Sequence, residues 1–382
     1  MERVHERQNF IIDEFKCRYQ GRTSPFSWDN LEGSISLYSE SCEGIIERLQ
    51  RKRSLENDIS LSTLMFDLHQ KLLKVISDDV FPVCSNYRKI ALNWLQRQFS
   101  EDVNSDDLKN YQELKYVYKT YQVTSSENVT CLEETNKMGN KDGTTGLVTW
   151  QGALGLLNFV TQGQNVLPPK AKILELGSGA GLFGLGLLKT SEEIFSYIFT
   201  DENTKVLDSI VTNFNINFNL SKCSSEDMDQ WLENGPLVNI FETSEVLQSG
   251  KGDSRIVQVK RLDWLNASND LIASLDYNII FGSDLTYTPA LLKPLALLLK
   301  RLLTAKIGQN ISAYIACTHR CTDTIKEFLG HMVDLGLQPK AALRTTFGPQ
   351  DGCVVGHEPL HSYTVFKVTV GDKANIDSKN ST

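Results

Sequence analysis

Two short stretches bring together residue types that do chemistry. In NIIFGSDLTYTP, residues 278 to 289, an apolar run ends in Ser283 and Asp284, with Tyr287 three residues on and Pro289 behind it. A carboxylate and a phenol at that spacing, just past a strand, suit a pocket that receives an N–H donor. In ILELGSGAGLFGLGLL, residues 173 to 188, Gly177, Gly179 and Gly181 follow an apolar strand and open a helix. Alternate glycines let the backbone turn sharply and approach a ligand, and the helix start offers unpaired N–H groups. They also cost backbone entropy that packing does not return, so a nucleotide-type ligand is the reading of this turn.

The loop by itself fits either NAD(P) or S-adenosylmethionine. Gly179-x-Gly181-x-x-Gly184 matches the dinucleotide pattern, and Asp201, ending the next strand, stands where a carboxylate binds ribose hydroxyls. Four further features bear on the choice. LDW, residues 262 to 264, ends a strand with Asp263 and Trp264, a polar contact and an aromatic face for an adenine. Ser283 and Asp284 end another strand at the edge where sheet ligands bind. Downstream, nothing reads as a hydride-transfer acid. Finally, TTGLVTWQGALGLLNFV, residues 144 to 160, places Trp150 just ahead of a helix, where its ring can lie over a ligand.

The elements that must position these groups follow from hydrophobic period. From about residue 6 to 122 the pattern is helical: Leu61, Leu64, Met65, Leu68, Leu72 and Val75 recur at three- and four-residue spacings, and Ile90, Trp94, Leu95 and Phe99 repeat the style. Residues 123 to 146 have loop composition and read as a linker, with room for a short hairpin. Beyond them short apolar strands alternate with helices to about residue 371, which predicts an α/β Rossmann-like sheet. Within it, residues 221 to 253 carry seven acids against two lysines and read as a solvated insertion. The expected organisation is a helical region over 1–122, the linker over 123–146, a cofactor-binding domain over 147–371 and a disordered tail over 372–382.

Composition excludes several classes. A formal charge of -8 and a pI near 5.4 provide no basic footprint for nucleic acid. No stretch approaches the roughly 20 apolar residues of a membrane span. The opening MERVHERQNF lacks the apolar core of a signal peptide, and the eight cysteines form no CxxC pair, so a cytoplasmic location with reduced thiols is expected. Cys317, His319 and Cys321 crowd one strand end, and Cys353, His357 and His361 follow C-x3-H-x3-H spacing. Neither completes a four-ligand set at familiar spacing, so no metal is expected.

In combination, TTGLVTW, ILELGSGAGLFGL, YIFTD, RLDW and SDLTYTP resemble the seven-strand class I lysine methyltransferases, whose motif after the fourth strand is Asp/Glu-x-x-Tyr/Phe. Within them the resemblance is to the branch acting on eukaryotic elongation factor 2, and it covers about residues 143–370. It implies S-adenosylmethionine as cofactor, contacted by Trp150, the Gly177-Ser178-Gly179 turn, Asp201, Trp264 and Ser283. It implies further that Asp284 and Tyr287 border the channel for a lysine of a protein substrate. Ser283 stands where the family often has Ala, and Gln151 where an acid is usual.

Overall fold

A computed structural model describes residues 115–124, 127–134, 144–161, 165–219, 254–306, 311–345 and 362–371, the backbone of 243–248, and single positions elsewhere. The chain divides into two compact units. The first comprises Met1–Gln122, Ser225–Glu233 and Cys353–Glu358; the second comprises Val123–Ser224, Asn234–Gly352 and Pro359–Thr382.

In the first unit the described positions up to residue 72 are helical, and Ile11, Phe15, Ile35, Leu68 and Leu72 are buried. The remaining expected N-terminal helices, including the Ile90 to Phe99 pattern, lie outside the described residues. One departure from the sequence reading is strand β1 (Tyr116–Gln122), where the helical region was expected to run on. YVYKTYQ explains it: aromatic and β-branched side chains favour a pleated, half-buried surface over a helix. Tyr118 is buried there and its hydroxyl donates to the Met228 carbonyl at 2.8 Å.

The second unit opens with strand β2 (Asn128–Glu134), inside the expected linker, where the sequence left room for a short hairpin. Then follow α1 (Gln151–Thr161), β3 (Ala171–Leu176), α2 (Leu182–Thr190), β4 (Ile194–Asp201), α3 (Thr204–Phe218), β5 (Thr243–Gln248) and β6 (Ser254–Arg261). The chain continues through α4 (Asn269–Ser274), β7 (Ile279–Ser283), α5 (Pro289–Thr304), β8 (Ser312–Thr318), α6 (Thr322–Asp334), β9 (Leu337–Thr345) and β10 (Tyr363–Val370). Strand β2 is ordered by amide side chains of α3. Asn213 and Asn217 accept from the Leu132 and Thr130 N–H groups at 2.7 and 3.0 Å, and Asn217 returns a bond to the Thr130 carbonyl at 2.7 Å. Those two asparagines supply the partners that a buried backbone requires, and composition read along residues 123–146 alone does not contain them.

The sheet order is β5-β6-β4-β3-β7-β8-β10-β9. Strands β6, β4, β3, β7 and β8 run parallel, β10 runs antiparallel between β8 and β9, and β5 adds an antiparallel edge beside β6. The expected seven strands are present, and β5, drawn from the acidic 221–253 stretch, is an eighth.

From β3 the chain winds one way through β4 to β6, then returns to wind the other way through β7 to β8. The reversal lies between β3 and β7, and sheets of this kind bind ligands at that crevice, beyond the strand C-termini. Strand β7 passes through the middle of the core, with Ile279, Ile280 and Phe281 all buried and the Phe281 ring 5.1 Å from that of Phe183. Pro289 begins α5, whose Leu292, Leu295, Leu299 and Leu302 are fully buried against the sheet. A proline costs nothing at a first helical turn, and its fixed φ starts the helix sharply after Thr288. Asp284 to Thr288 is thereby confined to a short turn between a buried strand and a buried helix. Among the described residues no helix is long and apolar enough to cross a membrane.

Candidate active site

The C-terminal ends of the parallel strands and the approach to α1 surround a cavity of about 910 Å³. Eight of the nine residues expected from sequence line it: Trp150, Gly177, Gly179, Asp201, Trp264, Ser283, Asp284 and Tyr287. The ninth, Ser178, does not. It is buried, donates its N–H to the Thr200 carbonyl at 2.8 Å and accepts the Thr200 N–H on its hydroxyl at 3.0 Å, so it ties the glycine turn to β4. The turn needs its glycines: Gly177, Gly179 and Gly181 have φ of +58°, +53° and +85°. A Cβ on Gly177 would also lie 2.7 Å from the Leu285 side chain.

Below the turn, Glu175 is buried at the end of β3 and accepts a hydrogen bond from the Tyr197 hydroxyl at 2.9 Å. Burial pushes its carboxyl up to about 8, with the Tyr197 bond opposing that shift. Because the folded protein then binds a proton that the unfolded chain releases above about 4.5, the contribution of Glu175 to stability falls as pH rises through the window from about 4.5 to 8. Glu175→Gln is expected to flatten the pH dependence of the thermal midpoint over that window, read by calorimetry, since the amide keeps an acceptor for Tyr197 and carries no charge.

Asp201 ends β4 with its carboxylate turned back on the glycine turn. It accepts the Gly179 N–H at 3.4 Å and the Asn203 N–H at 3.2 Å, and burial raises its pKa to about 6 despite those bonds. A ribose diol donates best to the ionised form, so nucleoside affinity should rise with pH up to about 6 and level off above it. Asp201→Asn is expected to weaken the binding of a nucleoside ligand about 10- to 100-fold and to abolish that pH dependence, both measurable by titration calorimetry.

The opposite wall is built around Asp284. It has φ of +52°, a left-handed conformation that Asp tolerates better than most residues. Its carboxylate joins three segments: Oδ2 accepts the Gly152 N–H at 2.9 Å and the Thr318 hydroxyl at 3.0 Å, while Oδ1 accepts the Thr318 N–H at 2.8 Å. The aspartate thus caps a helix, but it is α1, far away in sequence, and not the nearby α5. Gly152 is required by the same contact, because a Cβ there would sit 2.6 Å from the Asp284 carboxyl carbon. Tyr287 stands at the rim, more than half exposed. Leu285 and Thr286 between them are buried and line the cavity as well. Trp150 is fixed by its indole N–H, which donates to the Thr145 carbonyl at 2.9 Å, and its ring carries the Arg320 guanidinium 4.3 Å from the centroid.

Sequence reading missed Gly152, Thr318 and Arg320. Thr318 and Arg320 end β8 and stand just beyond it, a position that in principle marks ligand contact. Gly152 has no signal apart from a glycine in a first helical turn. Of the suspected metal groups, Cys317 is in the core and His319 Nε2 bonds the Thr364 hydroxyl at 2.8 Å, while Cys353, His357 and His361 lie outside the described residues.

A mainly parallel sheet, a glycine turn at its switch point and an acidic strand end beside it make this the Rossmann-like domain of a class I methyltransferase. The family described as "Lysine methyltransferase" matches residues 128–246 and 236–334, more than half of the chain. Protein-lysine N-methyltransferase EEF2KMT of Bos taurus is 30% identical over 293 residues, covering 73% of this chain and 80% of that protein. Protein-lysine N-methyltransferase EFM3 of Saccharomyces cerevisiae is 24% identical over 54% of each chain. Trm1 from Pyrococcus horikoshii, solved with S-adenosyl-L-methionine, aligns with TM-score 0.36 and 11% identity over 68% of this chain and 63% of that one. The chain belongs to the lysine methyltransferase family, and it is an S-adenosylmethionine-dependent enzyme.

The cavity fits that cofactor. Its volume lies within the roughly 300–1,000 Å³ of small-molecule sites. The glycine turn leaves room that a side chain would fill, Asp201 offers a carboxylate for ribose, and Trp264 offers an aromatic face beside Gly177.

Proposed function

We propose that this enzyme methylates a lysine side chain of elongation factor 2, in the cytoplasm, with Asp284 and Tyr287 bordering the lysine channel and Trp150, Gly177, Gly179, Asp201, Trp264 and Ser283 contacting the cofactor. The observation that carries the reading is that Asp284 and Tyr287 line the same cavity as the glycine turn. Similarity to proteins named EEF2KMT supports the choice of acceptor.

S-adenosylmethionine supplies an electrophilic methyl group on a sulfonium. The residues of the chain must then present an uncharged amine in line with it and keep water out. A lysine has a pKa of roughly 10.4 in water, and its ammonium form has no lone pair. A partly dry cavity disfavours that charge and lowers the pKa.

Asp284 serves as an orienting acceptor. A carboxylate has about four lone-pair sites, and the protein occupies three of them. One remains for an amine N–H, and the three fixed bonds aim it. Orientation is its role, because the three fixed bonds hold the carboxyl group in one position. Tyr287 walls the channel at the rim, and Ser178 supports the turn from behind.

The test is to incubate the full chain with methyl-labelled S-adenosylmethionine and a cell lysate, then with purified elongation factor 2, and to map the label by mass spectrometry. Label on a lysine of elongation factor 2 is the expected result. Label confined to lysines of other proteins would replace the acceptor while keeping the chemistry.

A further inference from the structure

We infer that Arg320 binds the methionyl carboxylate of the cofactor. Four carboxylates line the cavity, Asp201, Glu202, Asp263 and Asp284, together with two cations, Arg261 and Arg320. The two cations are differently placed. Arg261 belongs to the nucleoside end: it ends β6 and donates Nε–H to the Glu202 carbonyl at 3.1 Å. Arg320 lies at the other end, beyond β8, and no carboxylate among the described residues pairs with its guanidinium.

Sheet order then decides which part of the ligand reaches Arg320. The groups suited to ribose and adenine, Asp201 and Trp264, follow β4 and β6, and the glycine turn follows β3. A donor whose nucleoside occupies the β4 and β6 ends directs its amino-acid part across the turn, toward Trp150 and the β7 and β8 ends. The methionyl carboxylate is the one anion the cofactor brings to that side. Asp284 offers no donor to it, because its oxygens accept from Gly152 and Thr318.

Stacking makes Arg320 suitable for the task. A guanidinium lying on an indole face keeps its N–H edge free for a fork-like pair with a carboxylate, and its planar group loses little freedom on binding. Trp150 in turn is held by Thr145, so the cation is presented on a fixed platform. Arg320 would then be a cofactor-binding residue supplied by the loop after β8, separate from the glycine turn.

The inference rests on S-adenosylmethionine occupying this cavity and does not depend on which protein accepts the methyl group. It is tested by titration calorimetry of the full chain and of Arg320→Met and Arg320→Lys, each with S-adenosylmethionine and with decarboxylated S-adenosylmethionine. Methionine keeps the length and the contact with Trp150 while removing charge and donors. The expected result is that Arg320→Met weakens S-adenosylmethionine about 10- to 100-fold and leaves the decarboxylated ligand within a few-fold, with Arg320→Lys in between. Equal weakening of both ligands would mean that Arg320 only props Trp150, and the inference would be overturned. So would unchanged cofactor affinity with a raised KM for the protein acceptor, which would move Arg320 to the acceptor's side. Failure of the unsubstituted chain to bind S-adenosylmethionine would instead remove the reading of the cavity itself.

Discussion

Asp284→Asn is expected to lower the methylation rate by about 100-fold or more, the loss that follows when a reacting group is displaced by about an ångström, while cofactor affinity stays within a few-fold. The asparagine matches the shape but replaces one oxygen by an NH2 group. Three donors converge on the aspartate, from Gly152 and twice from Thr318. One of them then meets another donor, and the acceptor position proposed for the amine is lost or turned away. An orphaned donor costs about 1–3 kcal/mol, so a lower thermal midpoint should accompany the rate loss. Asp284→Ala should be worse in both respects, since it orphans every donor and places a residue that disfavours positive φ at +52°. The asparagine variant is therefore the more informative one. Single-turnover rates on the proposed acceptor together with calorimetry of cofactor binding would test it, and a rate within a few-fold of normal would remove Asp284 from the mechanism.

Gly152→Ala should be nearly as damaging, although Gly152 carries no functional side chain. In the first turn of α1 an alanine would ordinarily add up to about 1 kcal/mol of helix stability. Here the new methyl would fall 2.6, 2.7 and 2.8 Å from the carboxyl carbon and the two oxygens of Asp284. That carboxylate is held by three bonds and cannot swing aside, so overpacking of about 1–3 kcal/mol outweighs the helix gain. Relief comes by pushing Asp284 out of line or by lifting the start of α1, with Trp150, off the cavity. A drop in turnover of about 100-fold with a lower thermal midpoint is the expected outcome. Gly330→Ala is the matched control: Gly330 lies inside α6, and a methyl added there would meet no atom within 4 Å, so the variant should gain stability by up to about 1 kcal/mol. Equal behaviour of the two variants would mean that the clasp between α1 and β7 does not constrain the site.

The two substitutions show why parts of this site are legible along the chain and others are not. The glycine turn announces itself because φ above zero is a local demand, met by local residue choice. Asp201 and Asp284 announce themselves because carboxylates ending apolar strands break a pattern that core packing would keep. Trp264 and Trp150 are visible by their position at the end of a strand and ahead of a helix. In each case the reason for the residue is present within a few positions of it.

Gly152, Thr318 and Arg320 have reasons that lie elsewhere in the chain. Gly152 is small because Asp284, 132 residues later, needs the space. Thr318 donates twice to the same aspartate from the next strand, and Arg320 acquires a role by lying on Trp150. Strands β1 and β2 follow the same rule. Tyr116–Gln122 and Asn128–Glu134 lie where helix and linker were expected, and β2 depends on amides of Asn213 and Asn217 more than eighty residues away.

By itself the sequence determined the alternation of strands and helices, the parallel sheet, the nucleotide-type turn and the acidic strand ends, because period and backbone conformation are encoded in neighbouring residues. Tertiary structure alone decided that Asp284 caps α1 rather than α5, that Ser178 faces β4 and leaves the cavity to its neighbours, and that Arg320 stacks on Trp150. Those outcomes depend on which strand ends lie side by side, and strand order is fixed by packing of the whole sheet.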